Sequence, residues 1–125
     1  MLVVDSSVLI DHLRGLAPAV ARLKSALDAR DELWSVSVVR TEILAGARTG
    51  EEAPITHLFG LLRWLDVTPE LADAAGRLAS TYLRSHPGVD TVDYLIAAGV
   101  QHLDAELLTL NVRHFPMLPG LRPAY

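Results

Sequence analysis

Apolar residues alternate along this chain between two patterns, short continuous runs and helical spacings. The continuous runs predict buried strands, and the stretches with apolar residues every three or four positions predict amphipathic helices. Short, wholly apolar strands are typical of parallel sheets that helices cover on both faces. The pattern therefore predicts an α/β fold of three layers, α/β/α, around a short-stranded parallel sheet. The predicted strands are residues 2–4, 33–36, 65–67 and 107–110.

Capping residues mark where several of the predicted helices begin. Ser37 is the expected N-cap of a helix over about residues 38–47, and Pro54 is expected to open the next helix. Thr68 and Pro69 form a cap and first-turn pair for the helix after that. Helices are therefore expected in every interval between the strands.

Asp5 stands between the first predicted strand and the helix that follows it. If that strand is buried in a parallel sheet, Asp5 emerges at its carboxyl end, where open α/β sheets bind their ligands. A carboxylate in that position is suited to hold a cation. The alternative is that Asp5 only caps the helix.

Glu42 is a second acid that breaks an apolar pattern. On a helical wheel it shares the apolar side of its helix with Val38, Val39, Ala45 and Gly46. An isolated carboxylate on a core-facing stripe is unfavourable unless it is paired, hydrogen-bonded or bound to a metal. We therefore expect Glu42 to belong to a site or to be a buried salt-bridge partner.

Two further polar positions lie in the last third of the chain. Asp93 shares a helical face with Ile96 and Val100, so it is expected to point toward the core at the start of its helix. Asn111 ends the last predicted strand. The local alternatives are that Asp93 is an N3 acid of a helix capped by Asp90, and that Asn111 is a turn residue.

Four of these residues would form an oxygen-only ligand shell if the fold brought them into one pocket. Mg²⁺ and Mn²⁺ prefer such ligands. The five histidines show no zinc-binding spacing, and the absence of Cys excludes disulfides and thiolate zinc sites. The four residues are Asp5, Glu42, Asp93 and Asn111.

Length and composition restrict the function further. The chain has 125 residues, 50% hydrophobic and 21% charged, which predicts a single folded domain over residues 1–125. No segment approaches membrane-spanning length, so a cytoplasmic protein without membrane contact is expected. The net charge of −4 argues against nucleic-acid binding through bulk positive potential. An acidic site loaded with divalent ions can nevertheless contact phosphate.

Four segments of the chain resemble the PIN-domain ribonucleases, specifically the VapC-type toxins of prokaryotic toxin–antitoxin pairs. The order and spacing of the segments agree with the family over nearly the whole chain. The resemblance implies a metal-dependent endoribonuclease that uses Mg²⁺ or Mn²⁺, an RNA substrate, a cognate antitoxin as partner and a homodimer. The segments are VVDSSVLIDHLR, SVSVVRTEILAGA, DYLIAAGV and LLTLNVRHF.

The resemblance also assigns residues by motif position. It carries over Asp5, Glu42 and Asp93 as the acids of the active site. The fourth position of the family is often Asp and is here Asn111, which leaves a neutral ligand or a water-holding residue. Asp90 is an extra acid that could join the pocket, although an N-cap role also explains it.

Two hypotheses follow. In the first, the protein is an enzyme in which Asp5 and Asp93 hold the ion, and Glu42 and Asn111 complete or orient its shell. In the alternative, the protein is a non-catalytic PIN-like binding module whose acidic pocket holds a basic partner segment. The intact acids favour the enzyme, because a purely adhesive protein would need none of them.

Overall fold

The computed structural model describes every residue from Met1 to Tyr125. Single strands alternate with pairs of helices, in the order expected from the sequence. None of the helices combines the length and the apolar character needed to cross a bilayer. The strands are β1 (Leu2–Val4), β2 (Leu33–Val36), β3 (Arg63–Leu65) and β4 (Glu106–Leu108). The helices are α1 (Ser6–Leu13), α2 (Ala17–Asp28), α3 (Val38–Ala45), α4 (Glu52–Gly60), α5 (Pro69–Tyr82) and α6 (Thr91–Leu103), and a 3₁₀ turn follows at Val112–His114.

The four strands form one parallel sheet in the order β3-β2-β1-β4. Leu2 of β1 lies in register with Leu33 on one side and with Glu106 on the other. Because all strands run the same way, their carboxyl ends meet at one edge of the sheet. The backbone N–H of Asp5 donates to the carbonyl of Leu108 there, at 2.9 Å. The parallel sheet and its six helices confirm the predicted α/β fold class.

Helix α6 is the central helix of the packing, since every residue from Asp93 to Val100 is buried. Its close approach to the sheet depends on Gly99. A Cβ atom at that position would lie 2.8 Å from Cγ2 of Val36 and 3.3 Å from Cδ2 of Leu65. The missing side chain therefore sets the distance of α6 from the sheet, and with it the position of Asp93 at the start of the helix.

Two strands and two helices differ from their predicted bounds. β3 lies two residues earlier than expected because α4 already ends at Gly60, so the chain reaches the sheet sooner. α4 itself begins at Glu52, before Pro54, and α3 ends at Ala45. β4 ends at Leu108 rather than at residue 110, for a reason that lies in the site described below.

Of two predicted N-caps, one makes the expected capping hydrogen bond and the other does not. Thr68 caps α5 as expected, because its hydroxyl accepts a hydrogen bond from the N–H of Leu71 at 3.2 Å. Ser37 precedes α3 at the expected position, but its side chain makes no capping hydrogen bond.

Candidate functional site

Asp5 is a buried carboxylate at the carboxyl end of the central strand, with 2% of its surface exposed. Its Oδ1 accepts from the N–H of Ser6 at 2.8 Å, so Asp5 caps α1 as the local alternative held. Its Oδ2 accepts from the hydroxyls of Ser7 at 2.9 Å and Thr109 at 2.7 Å. Capping therefore explains one oxygen, and two hydroxyl groups hold the other.

Thr109 joins the end of β4 to Asp5, and it also ends the strand. Its fully buried hydroxyl accepts from the N–H of Asn111 at 3.0 Å while donating to Asp5. The N–H of Leu110 in turn donates to the hydroxyl of Ser7 at 3.2 Å. Because side chains take these N–H groups, β4 cannot continue past Leu108.

Asp93 lies at the start of α6 with 8% of its surface exposed. It forms a capping box with Asp90, as the local alternative proposed. The N–H of Asp93 donates to Asp90 Oδ1 at 3.0 Å, and the N–H of Asp90 donates to Asp93 Oδ2 at 3.1 Å. The helix cap thus fixes the direction of the Asp93 carboxyl.

Several charged and buried surroundings also shift the pKa of the Asp93 carboxyl. Burial raises the pKa of Asp93 to about 6, and the charges of Asp90 and Asp5 act in the same direction. The N–H of Asp90 and the imidazole of His114 lower the pKa but do not cancel the effect. Asp5 and Asp90 therefore lie close enough to Asp93 for their negative charges to repel its own.

Glu42 lies near the same acids, at the exposed edge of the site. The prediction that it lies on a core-facing stripe is wrong: Glu42 is exposed, and the buried residues of α3 are Val39 and Ile43. Ala45 and Gly46, which the helical wheel placed on the apolar side, are exposed at the end of the helix, so the buried stripe runs through Val39 and Ile43 instead. Partial burial still raises the pKa of Glu42, as do the charges of Asp5 and Asp90, whereas a hydrogen bond with Ser6 lowers it.

We call Asp5, Glu42, Asp90 and Asp93 the acidic cluster. Asn111, the fourth residue of the sequence motif, is exposed, and its side chain makes no hydrogen bond within the chain. His114 instead contacts the cluster, with its Nδ1 lying 3.3 Å from Oδ2 of Asp93. No contact in the structure brings the Asn111 side chain to the acids.

Sequence reasoning missed three residues of this site. The hydroxyls of Ser7 and Thr109 were visible only as polar interruptions beside Asp5 and within an apolar run. His114 belongs to no zinc-binding spacing, and no local pattern marks it because its partner Asp93 lies 21 positions earlier in the chain. A search for hydroxyl residues that interrupt an apolar strand would have found Thr109.

The donor set restricts the kind of metal site that this cluster can form. No three His, Asp or Glu side chains are placed to enclose a metal ion by themselves. Mg²⁺ generally keeps several water ligands and uses only one or two carboxylates. Asp5 and Asp93 are two buried carboxylates whose negative charges repel each other. The residues therefore fit a hydrated Mg²⁺ or Mn²⁺ better than an ion in an all-protein cage.

Comparison with known proteins gives the family. The family model described as the PIN domain matches residues 2–118. This chain belongs to the PIN-domain family. Ribonuclease VapC19 of Mycobacterium tuberculosis is 45% identical to this PIN domain over 125 residues, which cover the whole of both chains. Ribonuclease VapC10 of the same organism is 42% identical over 126 residues, covering 100% of this chain and 93% of the relative.

Solved structures agree on the fold. A toxin–antitoxin complex from Klebsiella pneumoniae contains a chain with a TM-score of 0.78 and 23% identity, covering 100% of this PIN domain and 98% of that chain. DNA-bound VapBC from Salmonella typhimurium also gives a TM-score of 0.78, with 20% identity and coverage of 98% and 95%. The predicted resemblance to VapC-type PIN domains is therefore confirmed by both sequence and fold.

Proposed function

We propose that this PIN domain is a metal-dependent endoribonuclease and the toxin of a toxin–antitoxin pair, acting in the cytoplasm as a single domain. The observation that carries the proposal is the proximity of Asp5 and Asp93 at the carboxyl edge of the sheet. Both are buried carboxylates, and their negative charges repel each other. The names of the VapC ribonucleases, which are similar over the whole chain, support RNA as the substrate.

In this proposal, Asp5 and Asp93 hold one Mg²⁺ or Mn²⁺ ion. The bound ion supplies Lewis-acid chemistry, activating a water molecule and stabilising charge on the phosphate. Three donors fix the Asp5 carboxylate before any ligand arrives, so the site needs little rearrangement. Glu42 lies at the exposed edge of the site, where partial burial raises the pKa of its carboxyl, and in this proposal it orients water. Asn111 remains a proposed member of the outer shell.

The proposed antitoxin needs an apolar surface, and the structure offers one. A groove of about 300 Å³ lies between α2 and α4. Val20 and Leu27 on its wall are more than one-third exposed. The structures similar in fold include toxin–antitoxin complexes, which supports a protein partner for this surface. We propose that the cognate antitoxin covers this groove.

The proposed homodimer has a separate candidate surface. An apolar cleft of about 280 Å³ lies between α5 and α6, lined by Ala75, Ala79 and Leu95 among others. Tyr94 also lines this cleft, and its buried hydroxyl makes no hydrogen bond within the chain. A second copy packed there would cover the apolar side chains. Sedimentation of the purified protein tests this assembly.

Cleavage of total cellular RNA in the presence of increasing Mg²⁺ or Mn²⁺ tests the enzymatic proposal. Asp5→Asn and Asp93→Asn should each reduce cleavage at least about 100-fold, because the chemistry of a bound ion contributes several kcal/mol to transition-state stabilisation. Asp66→Asn, at an exposed acid outside the acidic cluster, is the matched control and should retain activity.

The same experiment identifies the alternative. RNA that stays intact at every metal concentration, together with tight binding of a basic peptide that Asp93→Asn weakens, would identify a non-catalytic binding module. Cleavage at the wild-type rate by both variants would show that the active site lies elsewhere.

A further inference from the structure

We propose that Arg40 of α3 is a substrate-binding residue, which contacts a phosphate of the RNA near the one that is cleaved. The inference rests on the proposed function and deepens it, because it adds a binding contact outside the acidic cluster. It concerns how the RNA is bound and leaves the chemistry of cleavage to the acids.

Two aromatic rings hold the guanidinium of Arg40 in place. Its Cζ atom lies 4.4 Å from the ring centroid of Phe59 and 4.8 Å from that of Trp64. The two rings meet edge to face with their centroids 5.1 Å apart, and Nε1 of Trp64 donates to the carbonyl of Phe59 at 3.0 Å. Phe59 is itself buried. The rings therefore fix the guanidinium and stabilise its charge without a carboxylate.

The hydrogen-bond donors of this guanidinium are free for a ligand. Contacts with aromatic rings give its five N–H groups no oxygen acceptor. Arg14 and Arg63 pair with glutamates, whereas the side chain of Arg40 forms no hydrogen bond and no ion pair within the chain. Arg40 is also the one arginine that lies over two rings. A planar fork fixed in this way matches the oxygens of a phosphate.

Arg40 lies at the edge of the sheet that carries the acidic cluster. Helix α3 begins where two strands end, since the N–H of Ser37 donates to the carbonyl of Leu65 at 2.9 Å. Arg40 is in the first turn of this helix, and Glu42 follows two residues later. Two positions along a helix rotate a side chain by about 200°, so Arg40 and Glu42 point to opposite sides of a helix about 10 Å wide. An RNA strand that crosses the start of α3 can therefore reach both side chains with different nucleotides.

The charge of the protein explains why such a contact is needed. A chain with a net charge of −4 and several acids at the site repels the phosphates of RNA. A bound ion offsets this repulsion at the phosphate that it contacts, and the neighbouring phosphates need a cation of the protein. The contact with Arg40 should lower the KM for RNA and change kcat little, because it is made equally in the bound substrate and in the transition state.

RNA binding as a function of salt tests the contact on the full chain without measuring activity. The probe is a short, fluorescently labelled single-stranded RNA of mixed sequence, and EDTA keeps it intact. Fluorescence anisotropy gives the Kd over a series of KCl concentrations. For single strands, each phosphate contact contributes about 0.7 to the slope of log Kd against log salt concentration. Arg40→Met should therefore lower this slope by about 0.7 and raise the Kd about tenfold at low salt.

Two further variants separate charge from packing. Arg40→Lys keeps the charge but loses the planar fork, so its slope should stay close to that of the wild type. Arg63→Met is the matched control, because Arg63 lies over the ring of Trp34 but pairs with Glu32 at the amino end of β3. Its Kd and its slope should equal those of the wild type. Urea unfolding verifies that every variant folds.

Nuclear magnetic resonance of the wild type gives a readout that does not depend on a substitution. The Nε–H signal of Arg40 is assigned by its absence from the spectrum of Arg40→Lys, and that of Arg63 by its absence from Arg63→Met. Addition of the RNA should shift the signal of Arg40 and leave that of Arg63 in place. In a cleavage assay with Mn²⁺, Arg40→Met should raise the KM about tenfold and change kcat less than about twofold.

The outcomes separate this inference from the function on which it rests. A slope that Arg40→Met leaves unchanged, or an Arg40 signal that RNA does not shift, would overturn the contact, and cleavage with Mn²⁺ would still support the nuclease. The free guanidinium would then be left for an acidic group of a protein partner. A lowered slope without cleavage at any Mn²⁺ concentration would keep the RNA contact and overturn the enzyme. Wild-type protein that does not bind the probe at the lowest salt concentration would also overturn the contact.

Discussion

Thr109 connects the end of β4 to Asp5 of the acidic cluster through a hydrogen bond. Removing its hydroxyl therefore tests how much the fixed position of the Asp5 carboxylate contributes to stability and to cleavage. Thr109→Val keeps the shape of the side chain but removes the 2.7 Å hydrogen bond to the buried Asp5. We expect a loss of about 1–3 kcal/mol in the free energy of unfolding, together with reduced cleavage, because a buried carboxylate loses a donor. Urea unfolding and an RNA cleavage assay measure the two effects. Thr56→Val, at an exposed threonine of α4, should change neither appreciably.

Asp93 should make stability depend on pH in a characteristic direction. Its pKa is about 6 in the folded protein against an ordinary 3.8, so the folded state binds this proton more tightly than the unfolded state does. Stability should therefore fall as pH rises from about 4 to about 6 and then level off. Asp93→Asn removes the penalty while its amide oxygen can still accept from the N–H of Asp90.

Thermal melting without metal at pH 4 and pH 7.5 measures this effect. We expect Asp93→Asn to raise the free energy of unfolding at pH 7.5 on the order of 1 kcal/mol after solvent screening, and to change it little at pH 4. Asp66→Asn, at an exposed acid, serves as the control at both values. A variant that is less stable than the wild type at pH 7.5 would mean that the charge of Asp93 contributes favourably to the fold.

The sequence alone could predict some of these residues and not others, for a physical reason. Asp5 and Asp93 were predictable because each interrupts a strong apolar pattern at the end of an element. The contacts of Thr109 and His114 join residues 104 and 21 positions apart, and no local period records such a pairing. The prediction for Glu42 failed because the helical wheel counted Ala45 and Gly46 as buried, whereas both are exposed where α3 ends.

Helix α6 depends on Gly99 in a way that a paired substitution can measure. Gly99→Ala would place a Cβ 2.8 Å from Cγ2 of the buried Val36, so the helix or the strand must move. We expect a loss of about 1–3 kcal/mol despite the better helix propensity of Ala. Gly76→Ala in α5, where a Cβ meets nothing within 4 Å, should instead gain up to about 1 kcal/mol.

Urea unfolding of both glycine variants checks the contrast, and Mn²⁺ binding shows whether the displacement reaches Asp93. A stabilising effect of Gly99→Ala would mean that α6 has room to move and that its distance from the sheet does not set the position of the site.

The bounds of the strands were less predictable than the strands themselves. Periodicity located every strand, but β4 ended early because the hydroxyls of Ser7 and Thr109 accept backbone N–H groups there. Such competition between side chains and the sheet ladder has no signature in an apolar pattern.

The molecule as a whole carries a net charge of −4, and the acidic cluster concentrates several of its acids in one place. Cations of any kind are therefore attracted to the carboxyl edge of the sheet. The core is continuous, with 28 buried residues in one cluster, which supports the proposal of a single domain. The apolar groove between α2 and α4 borders that core, since Leu23 and Leu58 belong to both, and it gives a partner protein a place to pack.

These two surfaces predict how an antitoxin would silence the enzyme. An Arg or Lys of the antitoxin could insert among the carboxylates and form charge-assisted hydrogen bonds with the oxygens that otherwise hold the ion. Apolar contacts with the groove at Val20 and Leu27 would then supply most of the affinity. Metal and antitoxin should therefore compete for the acids, whereas the groove should bind the antitoxin whether or not metal is present.

Antitoxin affinity measured with increasing Mn²⁺ at constant ionic strength tests this arrangement. For the wild type, the affinity should fall as Mn²⁺ rises, and Asp93→Asn should weaken binding and reduce the response to Mn²⁺ because a shared carboxylate is gone. Leu27→Glu should weaken binding by about tenfold or more at every Mn²⁺ concentration, because it places a charge in the apolar groove. Leu83→Glu, at an exposed leucine outside the groove, is its control. An affinity that neither Mn²⁺ nor Asp93→Asn changes would mean that the antitoxin acts away from the acidic cluster.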